Sequence, residues 1–414
     1  MKTMASPILD VLAGLLPINL AIDKWRHNAA ITLATVPESH PIHSLMKQAA
    51  CRYVQSHPSP MHEVSYTYGL TPKAMEKINP IRHPNSWSPG IMTVIPEDKD
   101  EAVQGCAEER VEVRIFTDGS LTEKGVGAVA VIYRKKESLL TIQAQLGDAC
   151  DHMVYEAECA AMALGIFAIK KRAAKTVTIH VDNQAVIRAA ADQKQGSGKY
   201  ILDAFHAQIE ALRKRNSSIK LKIRWSPGHV RIKGNKEADA AAKVAMEGVV
   251  SPKNEVPPLF RKPLPHSKSA AKQHFNARLK EVVVEAWYKA PQATRLDGII
   301  TSTTVKNYQR VLAKVDRVTG SLWTQLKMGH VRLNKHLKRI NISQTDKCPA
   351  CWRFTELVDH VLRHCHAYNE PHAEMHRKVN HSIRSIKGLL GNEKNIGPVA
   401  AFIRKTGRLT WTLR

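Results

Sequence analysis

The sequence predicts an α/β domain over residues 110–248, flanked by mainly helical N- and C-terminal extensions. Three observations predict it. Short apolar runs with the period-2 alternation of strands recur through this stretch. Runs with 3.6-residue spacing lie between the later ones. Glycine-containing turns separate the pieces. The resulting order is three strands, helix, strand, two helices, strand, helix.

VEVRIFT (111–117) alternates as a strand does, and GVGAVAVIYR (125–134) and LLTIQAQLG (139–147) follow it. Short connections join the three, which predicts an antiparallel meander. A helix follows over 155–171, with Ala160, Leu164 and Phe167/Ala168 at helical spacing. TVTIHVD (176–182) is a fourth strand and leads into a short helix over 183–191. The turn GSG (196–198) precedes an amphipathic helix, YILDAFHAQIEALRKR (200–215). IKLKIRW (219–225) is the fifth strand, and residues 233–246 form the last helix.

Outside this domain the chain divides by composition. Residues 1–105 are helical at first and then loop-rich, with RHPNSWSPG (82–90) breaking periodicity. The apolar run 7–22 contains Asp10, Pro17 and Asn19, and no small-residue cleavage site follows. It reads as a buried amphipathic helix rather than a signal peptide or membrane span. Proline-rich SPKNEVPPLFRKPLP (251–265) marks residues 249–270 as a linker. Residues 271–344 form a basic helical region, 345–370 a Cys/His-rich module, and 371–414 a helical basic tail. The net charge is +25, with most of the excess after residue 248, which points to nucleic acid as partner. Seven cysteines without a secretory signal argue against a disulfide scaffold and for a reducing, intracellular setting. No segment reads as membrane-spanning, so no membrane partner is expected.

Four acidic residues stand in contexts suited to divalent metal. Asp118 ends a strand run in IFTDGS (115–120), and Asp182 ends another in VTIHVDNQAV (177–186). Glu158 opens a helix in AECAAMALGI (157–166), and Asp239 lies within the helical GNKEADAAAK (234–243). His229 sits on the glycine-containing turn WSPGH (225–229) just upstream. Phosphodiester hydrolysis needs an in-line water and a stabilised leaving oxygen, and two divalent ions about 4 Å apart supply both. Carboxylates are the donors Mg²⁺ prefers, and Mn²⁺ suits the same set. His229 would assist proton transfer or product departure. Taken singly, each carboxylate reads as a turn, helix-dipole or solvated residue; their combination carries the argument. Glu156 competes with Glu158, but the two lie about 200° apart around the helix, so only one faces the strands.

TDGS, AE-x-x-A, the strand-ending VDN and WSPGH…GNKEAD together resemble the four blocks of type 1 ribonuclease H, over residues 111–248. The resemblance implies a mixed five-stranded sheet, three antiparallel strands plus two parallel, with flanking helices. It also implies endonucleolytic cleavage of the RNA strand of RNA–DNA hybrids. By position it makes Asp118, Glu158, Asp182 and Asp239 the metal ligands and His229 the mobile-loop histidine. It places Ser120, Asn183, Gln184 and Asn235 near the substrate. Many members have Ser where Asn183 stands, and both can hydrogen-bond a backbone. The basic protrusion of some bacterial members has no evident counterpart; GSGKY (196–200) is the nearest segment.

KCPACWRFTELVDHVLRHC (347–365) spaces Cys348, Cys351, His360 and Cys365 as C-x₂-C-x₈-H-x₄-C. Three thiolates and an imidazole suit a closed tetrahedral Zn²⁺ site, with His364 an alternative to His360. This zinc-knuckle-like cluster with LWTQLKMGHVRLNKHLKRI (322–340) resembles the C-terminal tail of non-LTR retrotransposon polyproteins. VLAGLLPINLAIDKWRHNAA (11–30) resembles the segment between their polymerase and ribonuclease H domains. No Y-x-D-D polymerase motif is present, so the resemblance implies a reverse-transcriptase fragment that keeps the hydrolase, with a non-catalytic nucleic-acid-binding remnant as the alternative.

Overall fold

The alternating runs pair as a single mixed sheet. A computed structural model describes residues 6–51, 60–135, 137–170, 172, 174–228, 232–290, 293–300, 309–310, 312–379 and 385–409. The strands are β1 (Met92–Val94), β2 (Val113–Thr122), β3 (Gly125–Arg134), β4 (Glu137–Gly147), β5 (Thr176–Val181) and β6 (Lys220–Trp225). Their spatial order is β1-β6-β5-β2-β3-β4. β2, β3 and β4 form the expected antiparallel meander. β5 lies parallel to β2 and β6 parallel to β5. The sheet has six strands rather than five because β1 pairs parallel with β6. Two of the three β1 residues are exposed. So short a segment has no legible alternation, and backbone pairing to an open edge makes it a strand.

Helices cover both faces. α1 (Lys99–Glu108) precedes β2, and α2 (Val154–Ile169) follows the meander. α3 (Gln184–Ala191) and α4 (Lys199–Arg215) lie between β5 and β6, and α5 (Lys233–Met246) follows β6. Period-2 alternation divides the strand residues between two cores. Ile115, Ala128, Ala130 and Ile132 pack with α2 and α4 residues such as Leu164 and Phe205. Phe116, Val129, Val131 and Tyr133 pack with Ala238 and Ala242 of α5. With both faces covered, β3 is buried along nearly its whole length. A Cβ at Gly127 would lie 2.6 Å from the Ala242 carbonyl oxygen, so glycine there lets α5 seat on the strand.

The chain forms two compact units, residues 23–277 and residues 1–22 with 278–414. In the first, segments on both sides of the predicted domain join the sheet. Val256 and Leu264, from the proline-rich stretch, enter the larger core. Glu76, 1% exposed, accepts hydrogen bonds from Gly198 N at 2.7 Å, Lys268 N at 2.7 Å and the Ser197 hydroxyl. One carboxylate thereby caps the starts of α4 and of the helix Lys268–Lys289, where unpaired N–H groups and the helix dipole favour negative charge. Arg82, its side chain fully buried, binds Asp203 on α4 and donates to the Asp192 carbonyl at 3.1 Å.

The second unit packs Trp287, Leu322, Trp323, Val399 and Phe402 with both Cys348 and Cys365. The expected helix over 7–22 is interrupted. Ser6–Ala13 buries Ile8, Val11 and Leu12, but Gly14 turns at φ 62° and a new helix starts at Ile18. Leu15, Ile18 and Ile22 are exposed, which corrects the reading of this run as one buried amphipathic helix. Pro17, which cannot continue the first helix, stands at the start of the second.

Candidate active site

Parallel β2 and β5 carry Asp118 and Asp182 to the same edge of the sheet. Asp118 lies within β2, opposite Val129, and Asp182 follows the last residue of β5. α2 brings Glu158 against them. Its approach depends on Gly119, where an added Cβ would lie 2.7 Å from the Ala157 Cβ and from Glu158 N. One carboxylate oxygen from each of Asp118, Glu158 and Asp182 can be chosen so that all lie within 4.8 Å of one another. Glu156, on the opposite side of the helix, faces elsewhere: it is buried and accepts from Met153 N at 2.9 Å. The geometry therefore resolves the choice in favour of Glu158.

The three line a cleft of about 530 Å³ together with Ser120, Asn235 and Asp239. Asp239 stands further out on α5, half exposed, and its carboxylate takes the Lys243 ammonium at 2.8 Å. Asn235, one turn earlier, donates to the Ser226 hydroxyl at 3.0 Å and to the Pro227 carbonyl at 3.3 Å, tying α5 to the loop after β6. That loop lies against Asp182, since a Cβ on Gly228 would be 3.0 Å from Asp182 Oδ2. The Trp225 indole N–H donates to the Asp182 carbonyl at 2.9 Å. Asn183 and Gln184 do not line the cleft. Asn183 caps α3, accepting from Ala185 N at 3.0 Å, and Gln184 accepts from Arg188 at 3.3 Å. His229 lies outside the described residues. Sequence reasoning missed Lys236, which lines the cleft, and Lys243, whose i,i+4 spacing from Asp239 is the signal that would have found it.

Electrostatics mark the cleft as a cation site. Burial, then the neighbouring Asp182 and Asp239, push the Asp118 carboxyl up to about 7. Burial, then Asp182 and Asp118, push Glu158 well above the ordinary carboxylate range. Glu158 Oε2 is buried with no hydrogen-bond partner among the described residues. Like charges gathered in a low-dielectric cleft raise one another's pKa unless a cation neutralises them. A buried carboxylate gathered with two others fits a hard divalent ion.

The family comparison falls on this region. Residues 110–247 match the family model described as RNase H. This stretch of the chain is an RNase H domain. Among solved structures the chain is similar to the N-terminal RNase H domain of a Mycobacterium tuberculosis protein, determined as a fusion with maltose-binding protein. The identity is 22%, covering 34% of this chain and 96% of that one, with a TM-score of 0.26. It is also similar to RNase H1 from the halophilic archaeon Halobacterium salinarum, at 17% identity over 33% of this chain and 98% of that one, again with a TM-score of 0.26. No curated protein matches the chain.

Beyond the RNase H domain a second set of ligand-type atoms converges. Cys348, Cys351, His360 and Cys365 each bring one within 4.8 Å of the others. The two thiols of Cys348 and Cys365 are 3.8 Å apart, and Cys351 Sγ is 3.4 Å from His360 Nε2. A disulfide needs about 2.05 Å, whereas bonds of about 2.3 Å to sulfur and about 2.0 Å to nitrogen give tetrahedral edges of about 3.8 and 3.5 Å. The Cys348 and Cys351 pair sits on a tight turn closed by Cys348 N donating to the Phe354 carbonyl at 2.8 Å. His360 and Cys365 are joined by an i→i+5 bond at 2.8 Å, which sets them on one side of a wide turn. His364 is more than half exposed and turns to Asp359, so His360 is the member of the cluster. Burial pushes the Cys365 thiol up to about 12. At Cys351 burial pushes upward too, but the backbone N–H groups of Phe354 and Arg353 together with the thiols of Cys348 and Cys365 hold the thiol below its ordinary value. His83, Asp203 and His206 also converge, but the Arg82 guanidinium already lies against Asp203 and His206. Among the described residues no helix is long and apolar enough to cross a membrane.

Proposed function

We infer that the RNase H domain hydrolyses the RNA strand of RNA–DNA hybrids in a Mg²⁺-dependent reaction. The observation that carries this reading is the convergence of Asp118, Glu158 and Asp182 in one cleft, with Asp239 at its rim. Asp118 and Asp182 would hold ions from the sheet edge, Glu158 from the buried side and Asp239 from the outer wall. Bound divalent ions would activate water and stabilise the leaving oxygen. Asn235 fixes the wall opposite the sheet by bonding the loop after β6. Ser120, which lines the cleft, would contact the nucleic-acid backbone. His229, which follows Gly228 in the sequence, is assigned proton transfer or product departure. Preference for RNA in a hybrid follows when a surface reads 2′-hydroxyls across a shallow minor groove without reading bases.

The Cys/His cluster is assigned a structural Zn²⁺ on its closed S₃N donor set and tetrahedral-edge spacings. Resemblance of residues 11–30 and 322–365 supports descent from a non-LTR retrotransposon polyprotein.

Cleavage of hybrid, duplex DNA and duplex RNA, each with Mg²⁺ and with chelator, tests the catalytic reading. Hybrid alone should be cut, and only with metal. Asp118→Asn should bind hybrid without cutting it. Full activity in that variant, or equal cleavage of duplex DNA, would overturn the assignment. Hybrid binding by the parent protein without any cleavage would identify a nucleic-acid-binding remnant instead.

A further inference from the structure

We propose that Lys236 on α5 is a further substrate contact of the RNase H cleft, holding a backbone phosphate that flanks the bond to be cut. This contact rests on the reading of the cleft as an RNA–DNA hybrid hydrolase. Lys236 lines the same volume as Asp118, Glu158, Asp182 and Asp239. It is exposed, and it lies near the start of α5, where the helix dipole disfavours a cation. The other two lysines of α5 are paired within the helix: Lys243 binds Asp239 at 2.8 Å, and Lys233 lies 3.8 Å from Glu237. Among the described residues Lys236 has no carboxylate partner. Local structure therefore gives its charge no stabilising role.

A phosphate oxygen needs a hydrogen-bond donor. Three α5 residues line the cleft, Asn235, Lys236 and Asp239. An ionised Asp239 can only accept. Asn235 has two amide N–H groups, and both are spent on the protein, one on the Ser226 hydroxyl at 3.0 Å and one on the Pro227 carbonyl at 3.3 Å. That leaves Asn235 an acceptor oxygen, which cannot bind a phosphodiester oxygen. The Lys236 ammonium, with three N–H groups, is the donor that α5 offers to the backbone of a bound strand. The reacting phosphate would give its oxygens to the divalent ions held by the carboxylates. Lys236 pairs with none of those carboxylates, so the phosphate it meets is a neighbour in the same strand. A cation there also offsets the repulsion a polyanion meets at a rim that carries Asp239.

The test measures hybrid binding by fluorescence anisotropy in Mg²⁺ over a salt series, in the full chain carrying Asp118→Asn so that the probe stays intact. Lys236→Gln should weaken binding about tenfold at low salt and reduce the salt slope by about one. Glutamine matches lysine in helix propensity, so folding is not the variable. Lys233→Gln removes the same charge from the same helix outside the cleft and should leave the slope unchanged. In the chain that retains Asp118, Lys236→Gln should raise KM by a larger factor than it lowers kcat. Affinity and slope unchanged in Lys236→Gln, or reduced equally in Lys233→Gln, would overturn the contact and leave the hydrolytic reading standing. A parent chain that neither binds nor cuts hybrid would overturn the hydrolytic reading and the contact with it.

Discussion

The acidic cleft and the Cys/His cluster each gather ligand-type atoms within the same 4.8 Å, yet they are opposite constructions. The cleft gathers like charges beside open space, and its members raise one another's proton affinity. Oxygen donors beside an open volume leave room for water and substrate, as hydrolysis requires. The Cys/His cluster has three thiol sulfurs and an imidazole nitrogen at spacings that suit a tetrahedron, two of the sulfurs wholly buried in the hydrophobic core of their unit. A closed donor set leaves no position for substrate and couples metal binding to folding. The difference separates a site whose loss should cost activity from one whose loss should cost structure.

The largest expected effect tests the first half of that contrast. Asp118→Asn should lower hybrid cleavage by about a thousandfold or more while the thermal midpoint stays at or above that of the parent. A variant that unfolds instead would place Asp118 among structural residues. Cys351→Ser tests the second half. Elemental analysis should find the zinc lost and the C-terminal unit melting earlier, with cleavage of saturating hybrid retained. Cleavage lost in step with zinc would merge the two sites into one functional system.

Glu76 sharpens the comparison, because it is a buried carboxylate with donors supplied by two helix starts and a hydroxyl. Burial still raises its pKa, against the lowering effect of those bonds. Glu76→Ala should destabilise the unit by about 2–4 kcal/mol, read by denaturant melts, with kcat on intact protein unchanged.

The smallest effect is a pH contrast in chelator. Asp118 is raised to about 7 in the folded protein, above its unfolded value near 3.9. Its contribution to stability is therefore complete below about pH 4 and lost as pH rises through about 7. Metal-free protein should melt a few degrees lower at pH 8 than at pH 5.5, and the contrast should shrink in Asp118→Asn. Mg²⁺ should restore most of the difference at pH 8. A contrast of unchanged size in Asp118→Asn would remove the cleft as its source.

Most of the RNase H domain was legible because its strands obey simple alternation. The run expected over 125–134 is β3 to the residue, and the helix expected over 233–246 is α5. Glu158 could be preferred over Glu156 only provisionally, since helical angle shows that one faces the strands without saying which. Gly119 decides it by admitting α2 beside Asp118. The edge strand Met92–Val94 and the clips made by Glu76 and Arg82 were not legible. Each depends on partners more than a hundred residues away, and no local pattern records such pairing. The run over 7–22 misled for the converse reason: its composition is apolar, but Gly14 and Pro17 break the one face that could have been buried.

By itself the sequence determined the kinds of donor present, four carboxylates in one stretch and three thiols with an imidazole in another, and the local elements that carry them. Side-chain chemistry and backbone periodicity are properties of neighbouring residues. Only the tertiary structure decided which donors meet and that Asp239 stands at the rim with Lys243. Parallel pairing of β2 with β5, the close approach allowed by Gly119, and the packing of each unit's core set those distances, and these arise from contacts between segments remote in the chain.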